Sequence, residues 1–127
     1  MHFDHAGIAT ADADSLGGLY TDLLDCSVAH EETFDGMRVR FLAVGEGYLE
    51  LLEPLEDGPI ARYLDSDGPG IHHLAFATAD VERALDRARD LDIELVDEKP
   101  RPGAWGHEVA FLHPADTGGV LVEFVEH

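Results

Sequence analysis

Lysine is nearly missing from this chain of 127 residues: Lys99 is the only one, and arginine brings the basic total to eight against 27 acidic residues. The formal charge is −19. A surface so poor in cations repels a phosphate backbone, so nucleic-acid binding is excluded as a function class. Cysteine is just as scarce, since Cys26 stands alone and no intrachain disulfide can form. That agrees with a reducing, cytoplasmic setting. There is no 18-residue apolar run to span a membrane, and the first residues lack the basic and apolar regions of a secretory signal. Proline and glycine, six and 13, are placed as punctuation and never form a low-complexity tract. Hydrophobic content of 45% still supports one folded domain over 1–127, and the scattered acids read as a solvated surface. Such a charge suits a salt-rich, halophilic cytoplasm, where screening removes self-repulsion.

What the chain does have, it has twice. His5-Ala-Gly-Ile-Ala-Thr-Ala-Asp12 returns 68 residues later as His73-Leu-Ala-Phe-Ala-Thr-Ala-Asp80, and Leu49-Glu-Leu-Leu-Glu53 returns as Val122-Glu-Phe-Val-Glu126. Periodicity between these anchors predicts β-α-β-β-β in each copy. Strands are expected at 3–10, near 27–31, at 37–44 and 47–53, and again at 71–78 and near 93–97, 107–112 and 119–126. Helices are expected after Asp12 or Asp14 and from Val81, with a short connecting helix at 59–64. The fold class is therefore α+β, two tandem modules of about 1–57 and 69–127 joined by Asp65-Ser-Asp-Gly-Pro-Gly70.

Strand side chains alternate between faces, so facing can be read from parity. Glu50 opposes Leu49 and Leu51, and Glu123 opposes Val122 and Phe124. Each carboxylate thus sits among apolar residues, where a cation or hydrogen-bond donors must offset its burial. A wet sheet face explains one such glutamate. Two, in repeat-related positions and matched by His5 and His73, favour a four-ligand metal site on a pseudo-twofold axis. Of the doublet His72-His73, repeat alignment selects His73 and turns His72 to the other face. His2, His30 and His127 read as surface residues, with His107 and His113 as pocket candidates. Two imidazoles and two carboxylates suit a borderline-to-hard divalent ion; cobalt(II), manganese, nickel, zinc and iron(II) are all compatible, and ligand type alone does not choose among them.

Paired β-α-β-β-β units with a ligand on the first and last strand of each resemble the vicinal-oxygen-chelate superfamily, a metal-binding half-barrel fold that includes glyoxalase I, extradiol dioxygenases and metal-free bleomycin-binding proteins. Within it the chain looks like the methylmalonyl-CoA epimerases. The segments that carry this are Gly70-Ile-His-His-Leu-Ala-Phe76, Asp97-Glu-Lys-Pro-Arg-Pro-Gly-Ala104, and Phe111-Leu-His-Pro114 with Thr117-Gly-Gly-Val-Leu-Val-Glu123. The resemblance implies ligands at His5, Glu50, His73 and Glu123, and an acyl-CoA substrate whose α-proton is removed through a metal-stabilised enolate. It also implies a homodimer. Glu123 and then Glu50 are the expected proton-transfer groups. Some members carry a glutamate where this chain has Val39, so that base role is not carried over. Arg38, Arg40, Lys99 and Arg101 are the candidates for holding the CoA phosphates. A glyoxalase I-type lactoylglutathione lyase and a metal-free drug-binding protein are the competing functions.

Overall fold

The structure is a computed structural model and describes residues 1–127. Its elements follow the order β1 (His2–Ala9), α1 (Ala13–Leu23), β2 (Ser27–Phe34), β3 (Met37–Val44), β4 (Gly47–Pro54), α2 (Pro59–Asp67), β5 (Gly70–Ala77), α3 (Val81–Asp90), β6 (Arg101–Pro102), β7 (Glu108–Leu112) and β8 (Val122–Glu126). No helix is long and apolar enough to cross a membrane. Two compact units emerge, His5–His72 and Met1–Asp4 with His73–His127. The first residues of β1 thus belong with the second module, and the first residues of β5 with the first.

In the first unit the strands run β2-β3-β4-β1, antiparallel through the meander and parallel where β4 meets β1. The meander turns where the sequence requires it. Asp35 and Gly36 have φ of 50° and 74°, and a side chain at Gly36 would also strike Glu56. Helix α1 lays Ala13 and Leu16 on a core of Ile8, Leu42 and Leu51. Gly17, a weak helix former, is explained by what lies beneath it: a Cβ there would stand 2.7 Å from Arg40 Nη1.

The second unit repeats this order as β5-β8-β7-β6, with β5 and β8 parallel. Helix α3 packs Val81, Ala84, Leu85 and Ala88 against Ala110, Leu112 and Phe124. Truncating Leu85 to alanine there would cost about 2–5 kcal/mol. The strand expected near 93–97 is reduced to a single bridge between Leu95 and Leu112, and β6 is two residues long. Pro100 and Pro102 lack amide donors and flank Arg101, so a regular edge ladder cannot extend through them.

Candidate metal centre and active site

The parallel pairing of β1 with β4 sets the first half of the site. Gly7 lies opposite Glu50, two residues along from His5, so a period of two puts Glu50 and His5 on one face. His5 Nε2 is 3.2 Å from Glu50 Oε1. Both residues are almost dry, at 3% and 6% exposure. Glu50 is also the cross-strand partner of Phe41 on β3, and the Phe41 ring meets the His5 ring at 87° with centroids 5.5 Å apart. Val39, buried on the same face of β3 as Phe41, is apolar and has no proton to give or take there.

The second half has the same construction from different strands. Ala75 lies opposite Glu123, again two residues along from the histidine. His73 Nε2 is 3.1 Å from Glu123 Oε1, with exposures of 4% and 6%. Phe111 on β7 is the cross-strand partner of Glu123 and meets the His73 ring at 84°, also 5.5 Å between centroids. Each half is thus a histidine, a glutamate and a phenylalanine from three neighbouring strands. The phenylalanines were missed in the sequence, because they become equivalent only through strand register.

The remaining letters of the repeated motifs build helix caps. Thr10 Oγ1 accepts from the Asp12 amide at 3.2 Å, and Asp12 Oδ1 from Ser15 at 3.0 Å. Thr78 and Asp80 do the same toward Asp80 and Arg83 at 3.3 and 3.1 Å. The second glutamate of each strand motif is three residues past the first and so faces the other way. Glu53 Oε1 accepts from the Ala13 amide at 2.7 Å, and Glu126 Oε1 from Val81 at 3.0 Å. In each copy, then, the first glutamate pairs with the buried histidine and the second stabilises the helix start. The signal for this lay in the repeat, which preserves both.

The donor chemistry of each half fits a divalent ion. Two ligands bound cis at about 2.1 Å are about 3.0–3.4 Å apart in octahedral or tetrahedral coordination. The two nitrogen–oxygen separations fall in that interval.

Comparison with known proteins places this construction. The family model described as Glyoxalase/Bleomycin resistance protein/Dioxygenase superfamily matches residues 4–111. The chain belongs to that superfamily. It is 34% identical over 125 residues to an ethylmalonyl-CoA/methylmalonyl-CoA epimerase of Cereibacter sphaeroides, covering 94% of this chain and 93% of the relative. A crystal structure of methylmalonyl-CoA epimerase from Mycobacterium tuberculosis superimposes with a TM-score of 0.92 at 40% identity, over 98% of this chain and 87% of that one. A methylmalonyl-CoA epimerase in complex with methylmalonyl-CoA and ammonium superimposes with a TM-score of 0.93 at 36% identity, over 98% and 93%. The α+β fold of two βαβββ modules is that of this glyoxalase-like superfamily.

On this superfamily frame the basic residues divide into two groups. Arg38 and Arg40 occupy the face of β3 opposite Phe41, beside α1. Arg38 forms a two-pronged ion pair with Asp14 at 3.1 and 3.2 Å. Arg40 reaches Asp14 at 2.6 Å, Glu31 at 2.7 Å and the Ala13 carbonyl at 3.2 Å. The Arg40 hydrogen bond, with both guanidinium charges, holds the Asp14 carboxyl below its ordinary value. Burial pulls the Arg40 pKa down, but its bonds to Glu31 and Asp14 outweigh this and leave it raised. Both arginines are therefore engaged in neutralising carboxylates. In the irregular loop, Arg101 Nε donates to Asp97 at 2.9 Å and its guanidinium stands 5.4 Å from the Phe111 ring centroid. Lys99 lines a small cavity with Asp80, Glu82, Glu108 and Glu126.

The other histidines, apart from the exposed His2, also have structural partners. His72 turns its ring to Tyr63 on α2, 4.9 Å between centroids, as parity requires. His113 Nδ1 accepts from the Ala115 amide and caps a short turn. His107 stacks on Trp105 and meets His127 at a tilt of 49°, and His127 bonds to the buried Asp4. His30, read as a surface residue, is half-buried beside Glu32 and the Phe41 ring, because β2 bulges between Val28 and His30.

Proposed function

We propose that this protein is a methylmalonyl-CoA epimerase that works with one divalent metal ion shared by His5, Glu50, His73 and Glu123. The observation that carries the reading is the pair of matched, buried histidine–glutamate contacts, one in each repeat. The names of the full-length relatives supply the substrate class.

Epimerising this substrate means taking the proton from the carbon between a thioester and a carboxylate and returning one to the opposite face. A divalent ion bound at the site supplies positive charge where negative charge develops on the thioester oxygen. The chain's own part is proton transfer and exclusion of water. Glu123 takes or returns the proton on one face and Glu50 does so on the other, so one base per repeat matches one base per face. Positioned groups of this kind contribute about 10²–10⁴-fold each. The aromatic rings and Val39 keep the face that carries Glu50 dry. Lys99 is proposed to meet the anionic CoA tail, since Arg38, Arg40 and Arg101 already serve Asp14, Glu31 and Asp97.

Elemental analysis of purified protein beside His5→Ala and His73→Ala, with deuterium exchange into methylmalonyl-CoA, tests the proposal. One metal per chain, cobalt first among the candidates, is expected in the wild type and is lost in both variants. Metal-loaded wild type should exchange the α-proton and interconvert the epimers. Retention of metal by both variants would refute the ligand set. Turnover of the glutathione–methylglyoxal adduct, with the CoA ester ignored, would make the protein a glyoxalase.

A further inference from the structure

We propose that Phe41 and Phe111 are positioning residues, one per half-site, which hold each imidazole with Nε2 toward its glutamate. A histidine ring turned by 180° about its last side-chain bond exchanges Nε2 for carbon and loses the ligand. Something must oppose that turn, and both imidazoles are buried among neighbouring side chains that can do so. In both halves the same thing is present. The strand next to the glutamate's own strand places a phenylalanine directly opposite the carboxylate. From there the ring meets the histidine near a right angle, 87° in one half and 84° in the other, at 5.5 Å in both. The histidines are 68 residues apart, the phenylalanines 70 and the glutamates 73, so intervening loops differ while the local geometry agrees. The repeat has kept this arrangement while its loops changed length, which marks it as part of the site. Perpendicular packing of two rings is also the orientation that their quadrupoles favour.

The two phenylalanines are themselves supported differently. Phe41 is buried and packs on Tyr48 and His30, 6.0 and 6.3 Å between centroids. Phe111 is half-buried and held by a polar clamp. Its amide donates to Asp97 Oδ2 at 2.9 Å, while Asp97 Oδ1 accepts from Arg101 at 2.9 Å and sets that guanidinium against the ring. In the second half the positioning chain therefore extends from Asp97 and Arg101 through Phe111 to His73.

This inference rests on the metal reading of the two half-sites, and its test separates them. Nitrogen-15 spectra of the imidazoles are recorded on metal-free wild type, Phe41→Leu, Phe111→Leu and Phe111→Tyr, with chelator competition for cobalt and thermal melts alongside. Each of His5 and His73 is expected to show one tautomer and one orientation in the wild type. The leucine variant of a given half should broaden or mix that half's signals and leave the other half sharp. Cobalt affinity should fall about 10–100-fold, the usual consequence of losing a group that orients a metal ligand. Phe111→Tyr, which keeps the ring, should restore both. Arg101→Met should loosen the His73 signals and spare those of His5. Should Phe41→Leu fail to fold, Phe111→Leu at its half-exposed position decides. Sharp wild-type imidazole signals with wild-type cobalt affinity in a folded Phe111→Leu would overturn the proposal. A wild type that binds no cobalt would remove the metal reading, and the imidazole spectra would still judge the positioning role.

Discussion

The two modules agree closely where the strands meet the candidate ligands and diverge as the strands move away from them. In the first, β2, β3 and β4 are each eight residues long, and β3 and β4 pair along their whole length. In the second, β7 and β8 have five residues, and the outer edge is reduced to the two-residue β6 and a single bridge at Leu95. The parallel pair that carries histidine and glutamate has the same register in both, with the glutamate opposite the second residue after the histidine. So does the next antiparallel pair, glutamate opposite phenylalanine. Three strands per module are enough to place the side chains, and the fourth is free to become a loop. In the second module the stretch before and within the short β6 carries Lys99 and Arg101, where Pro100 and Pro102 leave no regular ladder.

The hardest test of this equivalence is chemical. Glu50→Gln and Glu123→Gln should each slow epimerisation by about 10²–10⁴-fold with CoA-ester binding nearly unchanged, since an amide still offers an oxygen but accepts no proton. Equal losses would mean one base per face. Normal epimerisation in Glu50→Gln would break the symmetry and leave Glu50 as a ligand only. Solvent-deuterium exchange measured separately for each epimer distinguishes the two results.

A smaller effect is expected at the other two glutamates. Glu53→Ala and Glu126→Ala each leave a part-buried amide at a helix start without its acceptor, a loss of about 1–2 kcal/mol by denaturant titration. Activity per folded molecule should hold in both. If one variant lost stability and the other did not, the caps would not be equivalent.

Charge separates the modules further. Residues 5–72 carry 14 acidic and three basic residues, a formal −11; residues 1–4 and 73–127 carry 13 and five, a formal −8. Molar potassium chloride should raise the melting temperature, and amide exchange should slow more in the first unit than in the second. A melting temperature that is flat with salt would remove the halophilic reading and leave the enzymology untouched.

The smallest expected effect belongs to Asp14, which is exposed to solvent. Because its pKa in the folded protein is depressed, the stabilisation it brings is present above the unfolded value, near 4, and is lost as pH falls through the folded one. Arg40→Met should flatten that part of the acid limb of a stability–pH curve. High salt should reduce the difference between variant and wild type.

Much of the site was legible because it is written at fixed parity. His5, His73, Glu50 and Glu123 announce themselves as polar residues at matched places on apolar strands, and a period of two decides which face each takes. The fate of the other motif letters was legible only in part. Asp12 reads as a cap, whereas Glu53 and Glu126 reveal their role once β4 and β8 are seen beside the helix starts. Arg38 and Arg40 looked available to a phosphate until α1 brought Asp14 to them and β2 brought Glu31.

The sequence by itself determined the duplication, the α+β class, the candidate ligand types and the strand face each candidate occupies, because these depend on local periodicity and on the cost of burying charge. Only the tertiary structure decided register: that Phe41 stands opposite Glu50, that Phe111 stands opposite Glu123, and that Asp97 ties Arg101 to Phe111. Register joins residues across loops of unequal length. Its energy comes from packing and hydrogen bonds between strands, which no single stretch of sequence contains.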